Sequence, residues 1–253
     1  MTPSIAHLLL ALQFSGSAPA PPFAPVAALV ERGIRQGVYP GAVVVIGRRD
    51  TLLYSQGFGR LSWNRNSGTP SAATTRWDLA SLTKVMATAS AAMVLVDRGR
   101  LDLDAPVFQY LPRFAGEGRE RITARMLLDH TSGLRAYLPL YRAPNRNAAL
   151  DLLYGEAPVR SPGRSPVYSD LNAILLGELV EALSGEPLDV FAGREVFTPL
   201  RLAATAFAPA VARGATVAPS RSERGRPAPG RVSDLNAAFL GGIAGHAGLF
   251  STG

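Results

Sequence analysis

DLASLTKVMATASAAMVLVDRG, residues 78–99, holds the only lysine in the chain: of 26 basic side chains, 25 are arginine and one is Lys84. Ser81 stands three residues before it. A guanidinium keeps its proton at any useful pH, whereas a desolvated lysine can become a neutral amine, so a site that needs a base cannot use arginine. The run from Leu82 to Val96 is rich in alanine, leucine and methionine and stops at Arg98 and Gly99, which predicts a helix. Ser81 then lies at its N-terminus, where free N–H groups and the helix dipole favour a developing negative charge. Lys84 projects one turn on, from the same face.

The rest of the composition narrows the chemistry. With 253 residues, 47% hydrophobic and 18% charged, the chain can bury a sizeable core. A net charge of +7 could suit an anionic partner, but the arginines are scattered. The densest group, SRSERGRPAPGR at 220–231, reads as a loop, so nucleic acid is not an expected partner. With no cysteine, thiol catalysis, disulfides and cysteine-held metals are excluded. Residues 1–22, MTPSIAHLLLALQFSGSAPAPP, join a short apolar run to small residues as a secretory signal does, without its basic start. They predict a leader and an exported protein, periplasmic or extracellular, and His7 falls within them. No other run approaches the roughly 20 apolar residues of a membrane span.

Along the chain, PVAALVERGIRQG (25–37) has helical spacing. GAVVVIG (41–47) and TLLYSQGFG (51–59), joined by RRD, predict an antiparallel hairpin. ITARMLLDHTSGL (122–134) predicts a short helix running into a turn. PGRSPVYSDLNAILLGELVEALSGEP (162–187) predicts a turn and an amphipathic helix with Leu171, Ile174, Leu175, Leu179, Ala182 and Leu183 on one face. Asn172 would lie on that helix's surface.

Four segments in order, WDLASLTKVMATA, ITARMLLDHTSGL, PVYSDLNAILLGELVEALSG and VFTPLRLAATAF, resemble the serine β-lactamases of the class C type and their penicillin-binding-protein and family VIII esterase relatives. VSDLNAAFLGGIAGHAGLFST (232–252) resembles the branch with cell-wall amidases and weak D,D-carboxypeptidases. The resemblance implies an α+β domain over 23–253: an antiparallel sheet flanked by helices, with a mostly helical lobe and the active site between. It also implies Ser81 as nucleophile, Lys84 as its base and Tyr168 as the proton relay between them, with neither metal nor cofactor. Asp170 stands where class C enzymes carry asparagine; it lacks the amide N–H and, as a carboxylate, pairs with Lys84 and weakens it as a base. His130 belongs to a turn that is structural in the family. His246 has the form of the family's third element, K-T-G or H-x-G, but its surroundings match the segment before that element, which leaves it a supporting role.

The K/H-x-G strand, which would give the second oxyanion donor, has no counterpart before Gly253, and the sequence therefore reads as a C-terminally incomplete domain of reduced activity. The expected function is acyl-enzyme hydrolysis of an amide in a small-molecule or peptidoglycan-derived substrate. A small-ester hydrolase is the near alternative; a catalytically silent homologue that binds a cell-wall ligand is the distant one.

Overall fold

The computed structural model describes residues 21–207, 216–220, 222–223 and 226–253. The expected leader, His7 included, lies almost wholly outside them, and so does part of the arginine cluster at 220–231. Helix α1 (Ala24–Arg35) starts on Pro25, whose missing N–H costs nothing in the first turn. It lies on the hairpin of β1 (Gly41–Arg48) and β2 (Thr51–Gly59), where Ala27, Tyr54 and Phe58 form a small cluster. The hairpin is paired from Gly41 with Gly59 to Arg48 with Thr51, with one irregularity at Ile46 and Gly47, in keeping with the β-branched run bounded by glycines.

The main core is organised by α-helices on a short mixed sheet. After β3 (Thr75–Asp78) comes a π-helical stretch, Lys84–Ala89, that continues as α2 (Ser90–Asp97). Then follow α3 (Ala124–Leu128), α4 (Arg146–Gly155), α5 (Asp170–Ser184) and α6 (Leu188–Ala192), which runs into a second π-helical stretch, Gly193–Phe197. The chain closes with β4 (Ala206–Phe207), β5 (Thr216–Val217), β6 (Ser222–Glu223), β7 (Arg226–Pro227), α7 (Leu235–Phe239) and β8 (Leu249–Ser251). The sheet order is β4-β8-β3-β5, antiparallel except for β3 with β5, while β6 and β7 pair only with each other.

Helix α5 is the spine of the core. The periodicity predicts one apolar face, but Leu171 to Gly177 are all buried, so the helix is enclosed on every side in its first two turns, whereas Ala182 is exposed. Each fully buried leucine or isoleucine there contributes about 1.5–3 kcal/mol. Two glycines allow a close approach: a Cβ on Gly245 would sit 1.9 Å from the Ala173 carbonyl oxygen, and one on Gly177 3.1 Å from Gly245. The chain thus passes close over α5 at Gly245, and residues 244–250 are buried throughout.

Candidate active site

Ser81 is presented by a tight turn between β3 and the helix that follows it. Asp78 ends the strand, its Oδ1 accepts the Ala80 N–H at 2.9 Å, and Ala80 has φ +46°. That left-handed conformation is costly for alanine and lifts the next residue off the sheet. Ser81 is exposed, and the π-helical stretch opening at Lys84 is a wide turn of the sort that occurs at functional sites.

Lys84 is buried, 8% exposed, and its Nζ meets three oxygens: Ser81 Oγ at 3.0 Å, the His246 carbonyl at 3.1 Å and Asp170 Oδ1 at 2.8 Å. An ammonium donates to all three. A neutral amine keeps two donated bonds, to His246 and Asp170, and turns its lone pair to the Ser81 hydroxyl. The same cage therefore fits the amine before and after it takes the serine proton.

Asp170 reaches Lys84 from the first turn of α5, whose N-cap is Ser169. Ser169 Oγ accepts the Asn172 N–H and donates to the Arg135 carbonyl, so the Tyr-Ser-Asp triplet is fixed from behind. The Tyr168 ring packs on the cation, its centroid 4.9 Å from Nζ, and against His130 at 4.8 Å between ring centres. Nδ1 of His130 accepts the Ser169 N–H and faces Asn172 Nδ2, each at 3.2 Å, so the ring proton sits on Nε2. Burial, and then the charge of Lys84, hold His130 below the usual histidine range.

His246 contributes in two ways. Its carbonyl meets Lys84, and its imidazole, 1% exposed, bonds through Nε2 to Asp234 Oδ1 at 2.8 Å. Asp234 also caps α7 by accepting the Ala237 N–H. Burial would raise the Asp234 carboxyl, but the bonds from His246 and Ala237 outweigh it and hold the group below the usual range. Asp170, Asp234 and His246 bring donor atoms within 4.8 Å of one another, the one such group among the described residues. Of these three, Asp170 Oδ1 also meets Lys84 Nζ, and Asp234 Oδ1 also meets His246 Nε2.

The structure thus brings Ser81, Lys84, Tyr168, Asp170 and His246 together. Asn172 requires a correction. It is fully buried rather than on the surface, and its Oδ1 accepts from Ser132 Oγ at 2.6 Å. Asp78 and Asp234 were not singled out from the sequence. Asp234 carried a signal, an aspartate just before LNAAF, the pattern of a helix N-cap.

The site thus joins an exposed serine and a caged lysine, from the turn after β3 and the helix it leads into, to a tyrosine and a carboxylate at the start of α5. The β-lactamase family pattern matches residues 26–253, and the chain belongs to that family. It is 33% identical over 259 residues to the N-acetylmuramyl-L-alanine amidase of Bacillus subtilis (strain 168), covering 88% of this chain and 58% of the relative. The crystal structure of a class C β-lactamase from Rhodobacter sphaeroides superposes with a TM-score of 0.71 at 26% identity, over 89% of this chain and 61% of that one. EstCE1, a hydrolase with promiscuous acyltransferase activity, shares the fold with a TM-score of 0.72 at 24% identity, over 90% of this chain and 68% of its own. The chain spans about three fifths of the length of the amidase and the β-lactamase.

Proposed function

We propose that the protein is a serine hydrolase that works through an acyl-enzyme and cleaves an amide in a peptidoglycan-related substrate. The observation that carries this reading is the Lys84 cage, with Nζ 3.0 Å from Ser81 Oγ. Ser81 Oγ attacks the acyl carbonyl while its proton passes to Lys84 Nζ; the tetrahedral intermediate expels the amine, which takes a proton from the site by way of Tyr168. Water then attacks the Ser81 ester and frees the acid. The Ser81 N–H, at the start of the helix, faces the developing oxyanion. The cell-wall amidase relative supports the substrate class, and an exported location fits it. No helix among the described residues is long and apolar enough to cross a membrane.

Asp170 favours a second reading, small-ester hydrolysis, because a carboxylate cannot donate the N–H that would hold a substrate amide carbonyl. Exposure to an activated ester or a labelled penicillin, followed by intact-mass analysis, tests both. The expected result is one added acyl group, lost in Ser81→Ala. Turnover of esters alone, with muropeptide amides untouched, selects the second reading. A folded protein that takes up no acyl group at any pH rejects both and leaves a binding homologue.

A further inference from the structure

We propose that Asp78 is a positioning residue: its carboxylate joins the turn that presents Ser81 to the Ser233–Asp234 segment, and so couples the placement of the nucleophile to that of the base. The proposal rests on the hydrolase reading above. Asp78 does not contact Ser81 Oγ or Lys84; it acts through its neighbours on both sides.

One carboxylate collects three donors. Oδ1 accepts the Ala80 N–H at 2.9 Å, and Oδ2 accepts the Ser233 N–H and the Ser233 hydroxyl, both at 2.8 Å; the Ser220 hydroxyl lies 3.2 Å from Oδ2 and shares its one proton with the Arg231 carbonyl at 3.1 Å. An aspartate that accepts the amide two residues on closes a turn with its own side chain. Here the turn places Ala80 at φ +46°, where alanine is strained, so the bond holds a conformation that the backbone would otherwise leave.

The other oxygen leads to the base. Ser233 precedes Asp234, Asp234 holds the His246 imidazole, and the His246 carbonyl accepts from Lys84 Nζ. The links close a ring: Ser81 to Lys84, on to His246, Asp234 and Ser233, and through Asp78 back to the Ser81 turn. A shift at Ser233 is therefore felt at both reacting atoms. Only a carboxylate can accept on both sides; an asparagine must aim an NH₂ at one of two N–H donors.

The test uses the full chain. Single-turnover acylation by p-nitrophenyl acetate is followed by intact mass, with hydrogen exchange of amides 79–84 measured alongside. Asp78→Asn is expected to slow acylation about 10- to 100-fold, the penalty of a small misplacement, with the half-saturating ester concentration nearly unchanged. Exchange at 79–84 should quicken. Adding Ala80→Gly, which is at ease at positive φ, should recover part of the rate. Ser233→Ala, which keeps the backbone bond, should give a smaller loss and serves if Asp78→Asn does not fold. Wild-type rate and exchange in these variants would overturn the proposal. So would slowed acylation with unchanged exchange, since Asp78 would then act on the reaction directly. A wild-type protein that is never acylated rejects the hydrolase reading alone, and the exchange measurement still decides whether Asp78 holds the turn.

Discussion

The β1–β2 hairpin and the chain around Lys84 are held in opposite ways. In the hairpin every strand partner lies within 18 residues, from Gly41 with Gly59 inward, and the buried support is three side chains. Around Lys84 the partners come from far along the chain: the His246 carbonyl lies 162 positions from Lys84, the Gly245 carbonyl 157 from Thr88, and the Leu249 N–H 166 from Thr83. Local pairing leaves its pattern in adjacent residues and tolerates change at its exposed face. Distant pairing leaves almost no local pattern and leaves little room for substitution.

The comparison should first show in Lys84→Arg, where the guanidinium keeps the charge but cannot accept the serine proton. Acylation is expected to fall about 10³-fold by intact-mass kinetics, within the range of a lost general base. An undiminished rate would end the argument from the single lysine. Next comes Gly245→Ala. Its Cβ would meet the Ala173 carbonyl at 1.9 Å, backbone against backbone with no side chain to give way. A loss of about 3 kcal/mol or more in urea unfolding is expected, from overpacking of a core contact.

Asn172→Ala should cost about 2–3 kcal/mol by the same measurement, because the Ser132 hydroxyl and His130 Nδ1 lose a buried partner. His130 adds a pH dependence. Its folded-state pKa is lowered, so the unfolded chain binds the proton first. Stability is full above about 6.5, the ordinary histidine value, and declines as pH falls through the folded-state value. Urea midpoints at pH 7 and pH 5 check this, and Asn172→Ala should blunt the slope by loosening the ring. The smallest effect belongs to the hairpin: Leu52, 65% exposed on β2, should cost less than about 0.5 kcal/mol when changed to alanine. A larger cost would mean that the hairpin is not the tolerant partner in the comparison.

This difference also decides what the sequence discloses. The hairpin, α1 and the helix after Ser81 follow from spacing and from glycine and proline stops within a few residues. Ser81, Lys84, Tyr168 and Asp170 stood out because each falls in a short motif at a helix start. The sheet behind them did not, since β4, β5 and β8 are two or three residues long and carry no alternation to read. Asn172 was misplaced for a related reason. A polar residue among leucines looks solvent-facing until Ser132 and His130, forty residues earlier, are brought against it. Asp78 and Asp234 are ordinary aspartates in one dimension, and their meaning comes from Ser233 and His246.

The three-oxygen cage around the sole lysine also makes the protein its own reporter. Reductive methylation with ¹³C-formaldehyde marks lysine side chains and the chain's terminal amine, so here it would add a single side-chain resonance. In most proteins such a spectrum must be assigned among many overlapping signals; in this one the line belongs to Lys84 by arithmetic. Its shift on adding an acylating reagent would report what happens beside Ser81.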